Sequence, residues 1–254
     1  MLTEKRQEEI LKILHEKESI TVQELTKRFQ ASESTIRRDL TALHKKGKLV
    51  KVFGGAVAAD SKVITTEDVV PLRENRNREE KIRIARYAAG LIGERDFVYL
   101  DAGTTTGCMI DFIEQKSATY VTNAVSHAQR LAKAGFHVIL AGGELKATTE
   151  AVIGSEAVFQ LQRFHFTIGF FGTNGISQSA GFTTLDWKEA AVKRCAMEQT
   201  RHRYVLADHQ KFGQIAPVTF GAFLDSTVIT DHIPLEGYVG CMNLLEVSEK
   251  DGME

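Results

Sequence analysis

Ser32-Glu33-Ser34-Thr35-Ile36-Arg37-Arg38-Asp39-Leu40-Thr41-Ala42-Leu43-His44-Lys45 is the stretch on which the fold turns. Ile36, Leu40 and Leu43 recur at i, i+4, i+7, the spacing of one buried helical face. At about 100° per residue, Ser34, Arg38, Thr41 and Lys45 project from the opposite side, flanked by Thr35 and Arg37. Ser32 is placed to cap the helix N-terminus. An exposed helical face carrying Ser, Thr and Arg is what a DNA major groove accepts: Arg reaches guanine O6 and N7 together, and Ser or Thr bonds base edges or phosphates. The competing reading pairs Arg37 and Arg38 with Glu33 or Asp39.

Upstream, residues 2–15 read as a helix with Ile10, Ile13 and Leu14 on one side, closed by Ser19-Ile20. Thr21 with Glu24 three residues on forms a capping-box pattern. Val22, Leu25 and Phe29 then supply a second buried stripe. Gln30-Ala31 is a tight turn, which gives the helix-turn-helix plan. Downstream, the run from Gly47 to Val57 alternates apolar and basic residues around Gly54-Gly55 and reads as a hairpin. That hairpin would be a wing, with Lys48 and Lys51 on phosphates. Residues 1–57 are therefore expected to form a winged helix-turn-helix that binds duplex DNA.

Charge agrees with this division. The chain of 254 residues has a net charge of −1, yet residues 27–51 hold 8 Lys/Arg against 2 Asp/Glu. A basic head on an acidic body suits a polyanionic partner for the head. No apolar run reaches the ~18–20 residues of a membrane helix, and no signal-peptide pattern opens the sequence, so a cytoplasmic protein is expected. Cys108, Cys195 and Cys241 are far apart and odd in number, which suits reduced packing residues. No metal or cofactor motif is present.

Residues 58–75 lack periodicity, contain Pro71 and are expected to form a linker. Residues 76–254 are expected to form one body. A helix over 79–92 carries Ile82, Ala85, Ala88, Ala89 and Ile92 as its stripe and Lys81, Arg83 and Arg86 on a wetted face. Short apolar runs then alternate with helices: strands at 97–100, 119–122, 137–141, 166–171, 204–207 and 227–230, and a long helix over 185–200. The order implies an α/β domain with a mostly parallel sheet covered on both faces.

Ligands of such sheets sit beyond the carboxyl ends of the strands. Three strand-ending loops there carry chemistry: Asp101-Ala102-Gly103-Thr104-Thr105-Thr106, Gly172-Thr173-Asn174-Gly175, and Asp208-His209-Gln210-Lys211. The first offers backbone N–H groups and hydroxyls to an anion, and Asp101 offers an acceptor to sugar hydroxyls. Glycines in the second let a ligand approach the backbone, and Lys211 offers a point cation to phosphate. Asn123 ends another strand. The plain alternatives are a Thr-capped turn for the first loop and a solvated lysine for Lys211. Trp187 is expected beside this pocket.

The chain resembles the DeoR-type repressors of bacterial sugar operons. The head carries the resemblance in the run from Ser32 to Leu40 and in Lys51-Val52-Phe53-Gly54-Gly55-Ala56, where Phe53 stands in place of the His of many relatives. The body carries it in Asp101 to Thr106, Gly154-Ser155, Gly172 to Gly175, Gly181 to Thr184, Glu189 to Arg194 and Ala207 to Phe212. The resemblance implies a sensor domain similar in fold to ribose-5-phosphate isomerase that binds a phosphorylated sugar. It is strongest toward fructose-operon repressors, whose effector is fructose 1-phosphate; lactose-pathway relatives sensing tagatose 6-phosphate are near neighbours. It also implies a homo-oligomer on repeated operator sites. An isomerase would need a carboxylate base, and Asp101, Asp186, Glu189 and Asp208 are available. The paired-acid Asp-Gly-Ala-Asp-Glu loop of the isomerase has no counterpart, so no enzyme is expected. A purely architectural DNA-binding protein is the third reading, and the glycine-rich strand ends speak against it.

Overall fold

The computed structural model describes residues 3–17, 19–52, 54–58, 62–64, 66, 68–233, 238 and 240–248. The head begins with helix α1 (Thr3–Lys17), strand β1 (Ser19–Thr21), helix α2 (Val22–Phe29) and helix α3 (Glu33–Lys45). The Thr21 hydroxyl accepts the Glu24 N–H at 3.1 Å while the Glu24 carboxylate accepts the Thr21 N–H at 2.9 Å, closing the expected capping box. Ser32 Oγ caps α3 by accepting the Thr35 N–H at 3.2 Å. The apolar stripes of the three helices meet in one core of Ile10, Ile13, Leu14, Val22, Leu25, Ile36, Leu40 and Leu43, with Phe29 partly buried against it.

Strands β2 (Leu49–Val52) and β3 (Gly55–Ala58) form the wing hairpin. Ser19-Ile20, expected only to end the first helical unit, lies in β1, which pairs antiparallel with β3. This close pairing requires a glycine. A Cβ on Gly55 would lie 2.2 Å from the Ile20 carbonyl oxygen, so any other residue would push the strands apart. Phe53 lies outside the described residues.

The stretch between head and body contains regular structure that its lack of periodicity does not announce. Strand β4 (Lys62–Val63) pairs parallel with β14 (Gln214–Ile215) of the body. Helix α4 (Val70–Asn75) follows, with Pro71 in its first turn, where a missing N–H costs nothing. Helix α5 (Arg78–Ala89) corrects two side-chain assignments. Lys81 is buried rather than wetted, and Ile84 rather than Ile82 is fully enclosed. Ala85, Ala88, Ala89 and Ile92 are buried as expected, and Lys81 and Ile84 join them on the same face.

The body alternates strand and helix: β5 (Phe97–Leu100), α6 (Thr104–Met109), β6 (Thr119–Thr122), α7 (Val125–Lys133), β7 (His137–Leu140), β8 (Glu144–Lys146), β9 (Ala151–Ile153), α8 (Ser155–Leu161) and β10 (Phe166–Gly172). Then come β11 (Gly175–Ser177), β12 (Gly181–Thr184), α9 (Trp187–Glu198), β13 (Thr200–Leu206), β14, β15 (Val218–Gly221), β16 (Thr227–Thr230) and β17 (Leu244–Glu246). Seven strands form the central sheet in the order β17-β16-β13-β10-β5-β6-β7. Every pairing within it is parallel. Edge strand β17 lies in the tail for which the sequence gives no expectation.

Apolar side chains cover both faces, as a parallel sheet requires. Phe171, Val192, Ala196 and Val205 belong to the core on one side; Ile84, Met109, Leu131, Phe170 and Ile229 belong to the core on the other. From β5 the chain runs one way through β6 and β7, and the other way through β10, β13, β16 and β17. The direction reverses between β5 and β10, and ligands of open α/β sheets bind beyond the carboxyl ends at such a reversal.

Candidate functional site

In the head, α3 presents Ser34, Arg37, Arg38 and Lys45 to solvent, with Thr35 and Thr41 half-buried. The competing reading of the arginines separates them. Arg37 bonds Glu33 at 2.5 and 2.9 Å, an exposed one-turn pair. Asp39 is buried and is taken by Arg6 at 2.5 Å and Gln7 at 3.2 Å from α1. Arg38 makes no ion pair among the described residues and extends outward. Wing and helix touch directly: Lys51 Nζ donates to Thr41 Oγ1 at 3.0 Å, so Lys51 sits at the edge of the α3 face. Lys48 is exposed in the turn before the wing.

In the body, the reversal between β5 and β10 opens into a cavity of about 360 Å³. Of the eleven residues singled out in the strand-end loops, Gly103, Thr104, Thr105, Gly172, Thr173, Asn174, Asp208 and Lys211 line it. Asp101, Thr106 and Asn123 do not, and each has an internal partner instead. The Thr106 hydroxyl donates within its own loop, to the carbonyls of Asp101 and Gly103 at 2.6 and 2.8 Å. Asn123 accepts from Tyr99 and from the Ala102 N–H, both at 3.1 Å, and donates to the Val152 carbonyl. Asp101, 1% exposed, accepts from the Gly172 N–H at 2.9 Å and from Lys193. These three residues fix the shape of the cavity wall.

The cavity is rich in cations that the sequence pattern does not single out. Arg73, Arg76, Lys81 and Lys193 join Lys211, against Asp68, Glu189 and Asp208. Lys193 is committed to Asp101 and the Gly172 carbonyl. Arg76 pairs with Asp68 at 3.1 Å. Lys211 makes no side-chain hydrogen bond or ion pair among the described residues. Burial pushes its pKa down, Asp208 opposes the shift, and the Arg76 and Arg73 guanidiniums add to it. Burial likewise lowers the pKa of Lys81, with Asp208 opposing. Desolvated ammonium groups crowded by guanidiniums gain from any anion that enters.

A second cavity of about 350 Å³ adjoins the first, sharing Arg73, Ala102, Gly103 and Thr104 and adding Arg78, Ser126, His127 and Arg130. Arg130 there is held by the Gly107 carbonyl and Asp111, both at 2.8 Å. Trp187, expected beside the pocket, is exposed at the start of α9 and lines neither cavity. Among the described residues, no group of three or more His, Cys, Asp or Glu is disposed to hold a metal ion.

Residues 76–232 match the family described as "DeoR C terminal sensor domain", and residues 6–62 match the "DeoR-like helix-turn-helix domain". The chain belongs to the DeoR family. It is 41% identical over 231 residues, 91% of each chain, to the "Uncharacterized HTH-type transcriptional regulator FruR" of Bacillus subtilis (strain 168). It is 32% identical over 220 residues to the "Lactose phosphotransferase system repressor" of Streptococcus mutans serotype c, covering 84% of this chain and 86% of the relative. Ribose 5-phosphate isomerase A from Methanocaldococcus jannaschii matches 54% of this chain and 55% of its own, with a TM-score of 0.40 and 12% identity. DeoR-family proteins are DNA-binding transcription regulators rather than enzymes, and this chain carries both parts, the helix-turn-helix ahead of the sensor domain. No described helix is long and apolar enough to cross a membrane.

The residues that sequence reasoning missed in this DeoR-family body are mostly cations. Lys193 lies four residues after Glu189, and both are buried on α9 toward the strand ends. Their i, i+4 spacing, on the same side of the helix as Ala190, Val192 and Ala196 rather than on a fully charged face, is the available signal. Arg73 and Arg76 had none, because a six-residue helix is too short to show periodicity.

Proposed function

We propose that this DeoR-family protein represses a sugar-utilisation operon, and that a phosphorylated sugar bound in the cavity between β5 and β10 controls it. Fructose 1-phosphate is the first candidate and tagatose 6-phosphate the second. The supporting observation is the convergence of Lys211, Lys81, Arg73 and Arg76 with Thr104, Thr105, Thr173 and Asn174 at the reversal of strand order. The cations suit a phosphate, and the hydroxyls, the Asn174 amide and Asp208 suit sugar hydroxyls. On this reading residues 1–57 bind DNA, 58–75 join the parts, and 76–254 sense the sugar.

Within the head, Arg38 reads a base, with Ser34, Thr35, Arg37, Thr41 and Lys45 around it, and Lys48 and Lys51 hold phosphates. The chain acts as a homo-oligomer on repeated half-sites, which multiplies affinity and fixes spacing. The effector shifts the head away from its DNA-competent arrangement by binding the two arrangements unequally. A thermal-shift screen of fructose 1-phosphate, fructose 6-phosphate and tagatose 6-phosphate tests the reading. One of them is expected to raise Tm in a concentration-dependent way, and Lys211→Ala or Thr105→Ala to abolish the rise while leaving DNA binding in place. No shift with any of them rejects it.

A further inference from the structure

The stretch joining head and body forms part of the cavity wall. Ile64, Thr66, Asp68, Arg73 and Arg76 all line the cavity, and Arg73 also lines the neighbouring one. Among the described residues, what holds this stretch to the body is largely polar. Helix α4 has no buried residue, and Leu72 is 61% exposed. Lys81 Nζ donates to the Arg73 carbonyl, Asn77 Nδ2 donates to Asp208 at 2.8 Å, and the Ile64 N–H donates to the Ile215 carbonyl at 3.0 Å. Asp208 thus faces the joint and the cavity together. Arg73 Nε is buried without a hydrogen-bond partner. A buried guanidinium N–H left unpaired is costly, and an anion in the cavity is the natural group to satisfy it.

We propose that Arg73 and Arg76 are ligands of the effector's phosphate, so that the effector is held between body and joint and tightens the joint onto the body. This rests on the sugar-phosphate reading of the cavity. A helix such as α4, with no buried residue and held by a few polar contacts, sits at the low-stability end of a fold and responds to a modest new interaction. Occupancy is thereby felt in the chain segment that leads to the DNA-binding head, with no need for a relay through the sheet.

The test uses the full chain. Binding of fructose 1-phosphate, tagatose 6-phosphate and inorganic phosphate is measured by calorimetry for the parent, Arg73→Gln/Arg76→Gln, Arg73→Lys and Lys211→Ala. Amide exchange over 68–77 is followed with and without the tightest ligand. The double variant is expected to bind at least tenfold more weakly while still binding DNA. Arg73→Lys, which keeps the charge, is expected to retain more affinity than the double variant, and exchange over 68–77 in the parent to slow severalfold on binding. Suppose the parent binds and Lys211→Ala does not, while the double variant binds like the parent and exchange over 68–77 is unchanged. The inference about the joint is then overturned and the pocket reading stands. If the parent binds none of the three ligands, both are overturned.

Discussion

Lys193, on α9, binds both the Asp101 carboxylate at the end of β5 and the Gly172 carbonyl at the end of β10. The two strands that flank the reversal are thereby pinned to one buried cation; Lys193 and Asp101 are 7% and 1% exposed. Removing one partner of a buried pair leaves an uncompensated charge. Lys193→Met is expected to cost about 3–5 kcal/mol of stability, measured by urea unfolding. Adding Asp101→Asn to that variant should recover part of the loss. A cost under about 1 kcal/mol, the size of an average substitution, would mean that the pair does not hold the strand ends.

The recognition face yields a second expectation. Arg38 is exposed and free of ion pairs among the described residues, whereas Arg37 is engaged by Glu33. Arg38→Ala is expected to lose ~1–3 kcal/mol of specific DNA binding with little change in nonspecific binding. Lys51→Ala, beside Thr41 at the wing edge, is expected to weaken both alike and to lower the salt slope by about one. Equal losses for specific and nonspecific DNA in Arg38→Ala would remove that residue from base readout.

His127 sets a pH dependence of stability. Burial, reinforced by Arg130 and opposed by Asp101, lowers its pKa from 6.5 to about 4. The unfolded chain therefore takes up this proton at higher pH than the folded chain does. Stability from this group is complete above pH 6.5 and is lost as pH falls toward 4. The loss amounts to about 3 kcal/mol at its fullest. His127→Gln should flatten the fall in unfolding free energy between pH 6.5 and 4.5, and the same slope in parent and variant would rule His127 out as its source.

The fold was legible wherever a stripe was long enough to show its period. Ile36, Leu40 and Leu43 are all in the head core, and the strands that expose one short apolar run each became the central sheet. The chain hid short elements held by tertiary pairing, such as β1, β4 and β17, in which two or three residues carry no detectable alternation. Lys81 departs from the pattern, since a lysine in a helical sequence defaults to solvent. Here its ammonium instead reaches the Arg73 carbonyl beside the cavity, beneath α4.

The candidate site was legible in its backbone and less so in its charges. Among the glycines and threonines at strand ends, Gly103, Thr104, Gly172 and Thr173 line the cavity. The strand-end rule overreached at Thr106 and Asn123, because a polar residue at a strand end can equally be spent bracing the loop from inside. Which of the two applies depends on side-chain direction, and no spacing rule reports that at a loop.

The most direct measurement is the affinity of the full chain for the duplex it selects from a random pool, followed by fluorescence anisotropy as fructose 1-phosphate or tagatose 6-phosphate is added. A coupling of typical allosteric size, 1–3 kcal/mol, corresponds to roughly 5- to 150-fold. The expected result is a Kd for DNA that rises by about tenfold or more with one of these sugars, and does not rise in Lys211→Ala. A Kd that stays constant while the sugar is shown by calorimetry to occupy the protein would contradict the account.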